Sequence, residues 1–232
     1  MSTAPAGRIL AIDTASDAIS LAIELDGALF AEHRWQVEST VSRELLGQVD
    51  AFLDRTGVPR GSLAALVICV GPGGYGGLRA GIATAQGMAL ALDLPLAGVS
   101  RLEADAWPQL LTAQAGRAVV AVHDARRAGV AWGAFVRPSD GAAPEVLAAP
   151  SITTLDECVR DAPAAAIWCG ELIEELLAAR QDHNREGDET RDISESTRAA
   201  AMLELARAHQ AYGDPAAVDA AYLRQPHITR PK

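Results

Sequence analysis

The sequence is poor in cysteine and in aromatic residues. It has 232 residues, of which three are cysteines and 4% are aromatic. Cys69, Cys158 and Cys169 are widely spaced, and they include neither a Cys-x-x-Cys pair nor a zinc-finger spacing. The sequence therefore predicts no disulfide framework and no zinc site, and we expect reduced core thiols in a cytosolic protein.

Positive charge is also scarce. Lysine and arginine number 20 against 30 aspartates and glutamates, which gives a net charge of −10 and a pI near 4.9. Lys232 is the only lysine, and the arginines are scattered without forming a basic stripe. Contacts between cations and phosphates drive nucleic-acid binding, so this composition argues against a chain that holds nucleic acid by itself.

Long apolar runs are missing as well. No run is long enough to span a membrane, and residues 1–7 lack the basic-then-apolar pattern of a signal peptide. We therefore expect a cytoplasmic protein without a membrane anchor. Apolar residues make up 49% of the chain, which is enough for a sizeable core.

The apolar runs of the first half predict an α/β arrangement. Three successive strands open the chain, and the Asp26-Gly27 turn joins the second to the third. The predicted strands are residues 8–13, 18–25, 28–35, 64–70 and 96–99, and the predicted helices are 41–55, 78–92 and 101–112. The order is therefore βββαβαβα.

The second half carries weaker patterns of the same kind. Its predicted strands are residues 118–123, 130–136, 145–149 and 165–168, with a hairpin through Ser139-Asp140-Gly141. Its predicted helices are 153–161, 171–180 and 197–212, and the polar residues 181–196 predict an exposed loop. We expect two lobes, residues 1–110 and a reduced second lobe of residues 111–232.

A glycine-rich loop precedes the helix at residues 78–92. Gly71, Gly73 and Gly76 satisfy the G-x-G-x-x-G spacing between a strand and a helix. A dinucleotide site also needs an acidic residue at the end of the next strand, where Ser100 stands. A Walker A loop is excluded because Gly-Lys-Ser/Thr is absent. The glycines are better explained by close backbone packing.

Small residues recur around most of the following helix. Gly77, Gly81 and Ala85 lie four residues apart and therefore stack along one side. That side accommodates either a neighbouring helix from a partner or the sheet of the chain itself. We favour the partner.

The block from Gly71 to Ser100 closely resembles the signature of the TsaB (YeaZ) family. In that family the loop typically reads Gly-Pro-Gly-Ser-Phe-Thr-Gly-Leu-Arg. Three other stretches also resemble the family: Ile9-Leu-Ala-Ile-Asp-Thr-Ala-Ser16, Asp124-Ala-Arg126 and Tyr222-Leu-Arg224. Together they span nearly the whole chain in order.

This sequence departs from the family pattern at three places. Gly74, Tyr75 and Gly76 stand where the family usually has Ser, Phe and Thr. Gly129 and Ala131 replace a Glu and a Tyr, and Val41-Ser42 stands where His-Ser or His-Thr is common.

The resemblance implies an actin-like ASKHA fold, related to ribonuclease H, with two lobes. It also implies a non-catalytic subunit that pairs with the catalytic subunit TsaD. With the ATPase TsaE, the assembly forms N6-threonylcarbamoyladenosine in tRNA, so tRNA contact is indirect. Alone, a chain of this kind is expected to form a homodimer. The residues expected at the partner interface or in its motif are Leu45, Val49, Phe52, Gly71, Gly73, Tyr75, Gly77, Leu78, Arg79, Gly81 and Ala85.

Two enzymatic alternatives remain open. In an ASKHA kinase or ATPase, Asp13, Thr14 and Ser16 would form a phosphate-facing turn, the acid holding a metal-bound water. Such an enzyme needs a second phosphate loop, but Ala125 rather than glycine follows Asp124.

A metallopeptidase would need paired ligands, typically two histidines one helical turn apart. No two of the five histidines are four residues apart. We therefore favour the partner subunit and expect no catalytic residue, cofactor or metal.

Overall fold

The structure, a computed structural model, contains two five-stranded sheets. It describes residues 5–138, 142–171, 173–183, 185–191, 193, 197–221 and 223. The strands are β1 Arg8–Asp13, β2 Ala18–Leu25, β3 Ala28–Gln36, β4 Leu63–Gly71, β5 Leu96–Ser100, β6 Val119–Asp124, β7 Val130–Val136, β8 Glu145–Thr153, β9 Ile167–Gly170 and β10 Glu189–Thr190. The helices are α1 Val41–Thr56, α2 Tyr75–Leu92, α3 Arg101–Thr112, α4 Leu155–Asp161, α5 Ile173–Asp182 and α6 Arg198–Ala208.

The two sheets repeat one plan. The first has the order β3-β2-β1-β4-β5, and the second, counted from its other edge, has the order β8-β7-β6-β9-β10. In both, three antiparallel strands are followed by two parallel ones. This duplication agrees with the actin-like architecture that the family resemblance implies.

The central strands are largely apolar because helices cover both of their faces. In β1, Leu10 and Ile12 face an outer core formed with α1 and α2. Ile9 and Ala11 face the opposite side, where a shared core contains α3, α6 and the inward residues of both sheets. On the far face of the second sheet, α4 and α5 cover a third core. The helices α3 and α6 therefore lie between the sheets.

The last helix and the segment after it return to the first sheet. Helix α6 packs on β1, β2 and β4, and the Ala199 N–H donates to Ser20 Oγ over 3.3 Å. Further on, Gly213 pairs with Leu96, and the Ala221 N–H donates to the Val70 carbonyl over 2.8 Å. Chain order and spatial order therefore differ in the second half.

Several elements have bounds that differ from those predicted. Helix α2 begins at Tyr75, three residues early, because the Leu78 N–H already donates to the Gly74 carbonyl over 2.9 Å. Strand β8 continues through Pro150 to Thr153, which an edge strand permits. Helices α4, α5 and α6 begin one or two residues later than predicted, and α6 ends at Ala208 rather than at residue 212.

The predicted exposed loop at residues 181–196 is wrong in part. Residues Glu189–Thr190 form β10, parallel to β9. The Asp188 side chain is fully buried and accepts hydrogen bonds from the Ala166 N–H and the Trp168 Nε1, both over 2.8 Å. A buried carboxylate that organises a strand is not visible in a run of polar residues.

Some predictions fall on residues that the structure does not describe. The hairpin residues 139–141 lie outside the described residues, as do Tyr222 and Arg224 of the C-terminal motif. Within the described residues, none of the helices combines the length and the apolar character needed to cross a membrane.

Candidate functional site

The predicted phosphate-facing turn lies at the carboxyl end of β1. Asp13 is 1% exposed, and its carboxylate accepts hydrogen bonds from the Ala15 N–H over 3.0 Å and from Arg198 Nε over 2.7 Å. Arg198 also lies 3.3 Å from the Asp105 carboxylate and donates to Ser16 Oγ over 2.5 Å. The acid of the turn is therefore already paired with a cation of the same chain.

Arg198 stays charged in this position. Burial by itself disfavours the charged form, but the negative charges of Asp13 and Asp105 outweigh it and raise the pKa of Arg198 above its ordinary value. The pair thus consists of a permanent guanidinium and the carboxylate that a kinase mechanism would use.

Thr14 does not face the cleft. Its side chain is buried against α2, and its hydroxyl has no hydrogen-bond partner among the described residues. A Cβ atom added to Gly81 would collide with the Thr14 side chain. Of the three residues predicted for the turn, Asp13 and Ser16 line the cleft and Thr14 supports the packing of α2.

A second charged cluster joins α3 to the second sheet. Arg101, 1% exposed, donates to the Glu171 carboxylate over 2.5 Å and lies 3.3 Å from His123 Nε2. Because arginine can only donate, Nε2 accepts, and His123 Nδ1 is left to donate to Glu171 over 2.8 Å. Burial raises the pKa of Glu171, but the hydrogen bond from His123 and the charge of Arg101 outweigh it, so the pKa lies well below its ordinary value.

These two clusters form the floor of a cleft between the sheets. The cavity has a volume of about 680 Å³, large enough for a small ligand. Its walls come from the turns after β1, β4, β6 and β9, and from the start of α6 and the C-terminal segment. The charges on its floor are, however, paired with one another across the chain.

The turn after β6 is the position of a second phosphate loop in an ATP-binding relative. Four of its amides are used inside the turn: the N–H groups of Ala125, Ala128 and Gly129 donate to carbonyls of the turn, and the Arg126 N–H donates to Asp124 Oδ1. Amides engaged in this way do not form an anion-binding nest. Nor do the described residues bring three or more His, Cys, Asp or Glu side chains together in a group that could hold a metal ion.

Of the charged residues on the floor, sequence reasoning identified Asp13 and missed Arg101, Asp105, Glu171 and Arg198, as well as His123. Arg101 and Asp105 lie four residues apart on one helix, a spacing that signals an ion pair. Arg198 lies 185 residues from Asp13, so no local spacing points to it.

The outer helices α1 and α2 carry the predicted interface. Most of the predicted residues point into the chain: Leu45, Val49, Phe52, Gly71, Leu78, Gly81 and Ala85 are buried, and Gly73 and Gly77 are half-buried. Tyr75 and Arg79 are exposed, and the Arg79 guanidinium lies 4.0 Å above the Tyr75 ring.

The expectation of an open side at Gly77, Gly81 and Ala85 is therefore corrected. Added Cβ atoms at Gly77 and Gly81 would meet the Thr14 carbonyl and side chain, respectively. These small residues let α2 approach the turn after β1. This side of α2 therefore packs within the chain, which is the alternative that the sequence analysis named.

The opposite side of the two helices is exposed. Leu46 of α1 and Leu90 of α2 are 53% and 66% exposed, and both are large apolar residues. Small residues recur here too, with no atom within 4 Å of an added Cβ at Gly47, Gly76 or Gly87. We call Leu46, Gly47, Gly76, Gly87 and Leu90 the outer helix face.

Comparison with known proteins finds a matching family model and several similar proteins. The family model described as "TsaD: tRNA N6-adenosine threonylcarbamoyltransferase" matches residues 37–164, more than half of the chain. The tRNA threonylcarbamoyladenosine biosynthesis protein TsaB of Escherichia coli is 37% identical over 134 residues, which cover 58% of this chain and 57% of that protein. TsaB of Bacillus subtilis is 32% identical over 95 residues, covering 41% and 42%. The chain thus spans about half the length of these curated relatives.

An uncharacterized protein of Mycobacterium tuberculosis is matched over more of its length. It is 33% identical over 161 residues, which cover 66% of this chain and 73% of that protein.

Solved structures share the fold. The structure entitled YeaZ from Pseudomonas aeruginosa has a TM-score of 0.73 and 23% identity, covering 93% of this chain and 99% of that one. A putative N-acetylmannosamine kinase from Listeria monocytogenes has a TM-score of 0.51 and 12% identity, covering 88% and 99%. At these identities the likeness concerns the fold alone, and it confirms the predicted two-lobed actin-like architecture.

Proposed function

We propose, from the premise that this chain belongs to the TsaB (YeaZ) family, that it is a non-catalytic partner subunit in the formation of N6-threonylcarbamoyladenosine in tRNA. Its direct partner in this proposal is a TsaD-like catalytic subunit, and a TsaE-like ATPase completes the assembly. When the partner is absent, the chain forms a homodimer. We also propose that it acts in the cytoplasm.

One observation carries the non-catalytic part of the proposal. Asp13, the acid that an actin-like kinase would use, is neutralised by Arg198 at 2.7 Å inside the same chain. A general base or metal-holding carboxylate has to be available to the substrate, and this one is not. The amides of the turn after β6, engaged within that turn, support the same conclusion.

The net charge supports indirect contact with tRNA. A chain with a net charge of −10 repels the phosphate backbone, so the catalytic partner supplies most of the cations that hold tRNA.

The outer helix face is our proposal for the partner contact. It combines two exposed leucines with glycines that leave room for a neighbouring helix, and close helix packing needs that combination. This places the contact on α1 and α2, as the sequence predicts, but through other residues of the same helices.

A purification from the native host tests the assignment. We expect a tagged chain to co-purify with a TsaD-like protein, and depletion of the chain to lower the N6-threonylcarbamoyladenosine content of tRNA, measured by mass spectrometry of nucleosides. Unchanged nucleoside content after depletion, with no TsaD-like protein in the eluate, would contradict the proposal.

An actin-like kinase or ATPase is the second candidate, favoured by the size of the cleft and by the position of Asp13 at its floor. The two candidates differ in one measurement. We expect the purified chain to turn over ATP no faster than a buffer control. ATP turnover that disappears in Asp13→Ala would establish the kinase in place of the partner subunit.

A further inference from the structure

Arg101 contacts both halves of the molecule at once. On the side of the first sheet, its Nη1 donates to the Ala15 carbonyl over 3.3 Å. On the side of the second sheet, it contacts His123 of β6 and Glu171, which directly follows β9. One buried guanidinium thus connects the turn after β1 to two strand ends of the other sheet.

Arg198 completes the connection from the other helix of the middle layer. It links α6 to Asp13 of β1 and to Asp105 of α3, and Asp105 in turn lies 3.4 Å from Arg101 Nε. The side chains of Asp13, Arg101 and Asp105 are each 1% exposed. Two guanidiniums and three carboxylates therefore form one continuous network across the floor of the cleft.

We infer that Arg101 and Arg198 form an ionic bridge that holds the two sheets in one orientation and prevents the cleft from closing around a ligand. Closure of a two-lobed protein requires the lobes to rotate relative to one another. Rotation here would pull Glu171 and His123 away from Arg101 and leave its buried charge with fewer partners, which is unfavourable.

The relative motion of the two sheets is a property of the isolated chain, so it can be measured without any partner. The network differs from a ligand site because its charges are directed at one another: Glu171 accepts from Arg101, from His123 and from the Asp124 N–H.

Distance measurements between two spin labels test the bridge. Ala28 on the edge strand β3 and Ala149 on the edge strand β8 are exposed small residues in opposite sheets, and cysteines placed there carry the labels. The native cysteines are buried, and burial raises the pKa of Cys158 to about 12, so they resist thiol reagents.

We expect one narrow distance distribution in the otherwise unchanged chain. Glu171→Ala, a change at a side chain that is 40% exposed, removes the acceptor that joins Arg101 to the second sheet. We expect it to leave the circular dichroism spectrum unchanged and to widen the distribution by at least about twofold, because the shared apolar core then opposes rotation of the sheets without the ionic bridge.

Glu189→Ala is the matched control. Glu189 also forms an ion pair, with Arg117 at 2.6 Å. Glu189 lies in β10 and Arg117 lies just before β6, so this pair does not connect the two sheets. This variant should leave the distribution narrow. A broad distribution in the unchanged chain would overturn the inference, and so would a folded Glu171→Ala variant whose distribution is as narrow as that of the control. His123→Ala serves as the second bridge variant if Glu171→Ala does not fold.

Discussion

At the scale of single residues, Gly81 shows why α2 contains glycine at all. Glycine in a helix interior costs about 1 kcal/mol relative to alanine. At position 81 this cost is offset, because only a residue without a Cβ atom lets the helix approach Thr14. Gly87, on the opposite side of the same helix, has open space where its Cβ would lie. The two positions therefore respond differently to the same substitution.

Gly81→Ala should lower the free energy of unfolding by about 1–3 kcal/mol through overpacking, and Gly81→Arg should prevent folding because it also buries a charge. Gly87→Ala, the control, should raise the free energy of unfolding by about 0.5–1 kcal/mol. Chemical denaturation measures all three. A Gly81→Arg variant that melts like the unchanged chain would contradict the buried position.

His209 connects the two helices of the middle layer. Its Nε2 lies 2.5 Å from the Glu103 carboxylate of α3. The hydrogen bond with Glu103 raises the pKa of His209 above its ordinary value of 6.5, although burial opposes the shift. Since the folded pKa is the higher one, the stabilisation is complete below about pH 6.5 and is lost as the pH rises through the folded pKa.

His209→Gln should remove this pH dependence. Relative to the variant, the unchanged chain should lose up to about 1 kcal/mol of unfolding free energy as the pH rises from about 6 to about 8.5, since a partly exposed pair contributes little more. Urea denaturation at several pH values measures the difference. Parallel pH curves for the two proteins would show that the pair does not titrate in this range.

At the scale of secondary-structure elements, α1 and α2 each have one buried side and one exposed side. The buried side of α1 follows from its apolar stripe, which the sequence shows plainly. The exposed side presents Leu46 on α1 and Leu90 on α2. Large apolar residues exposed beside small ones on a helix surface indicate a contact surface.

Leu90→Arg and Leu46→Arg should leave the thermal melting of the chain unchanged and abolish its association with a TsaD-like subunit, because each places a cation in an apolar contact. Leu177→Arg on α5, which replaces a leucine that is 44% exposed in the second lobe, is the control and should bind normally. Size-exclusion chromatography of the mixtures measures association. Normal binding by both outer-face variants would show that the contact lies on another surface of the chain.

At the scale of the whole molecule, the net charge of −10 opposes binding to the phosphate backbone of tRNA. The isolated chain should therefore bind tRNA only weakly at physiological salt, and the proposed complex with a TsaD-like subunit should bind much more tightly if that subunit supplies the cations. Gel-shift titrations of the chain and of the complex at one salt concentration measure this. A tight shift by the chain alone that is lost when a few arginines are replaced would contradict the prediction.

The sequence by itself determined the family and the order of elements apart from β10. Strands such as β1, residues 8–13, are mostly apolar because both faces of a central strand are covered. This pattern lies within a few consecutive residues, so the sequence alone shows it. The loop and helix from Gly71 to Ser100 likewise form one continuous segment, so their resemblance to a family is visible without coordinates.

Only the tertiary structure decided which side of α2 is buried and which charged side chains pair on the floor of the cleft. Small residues occur on every side of α2, so its apolar stripe does not reveal that Gly77 and Gly81 pack within the chain; their contacts with Thr14, a residue of another segment, decide this. The pairing of Asp13 with Arg198 spans 185 residues and has no spacing that a sequence pattern records. The role of a side chain in such a pair is set by the path of the backbone through space, and that path is decided by the packing of α6 between the two sheets.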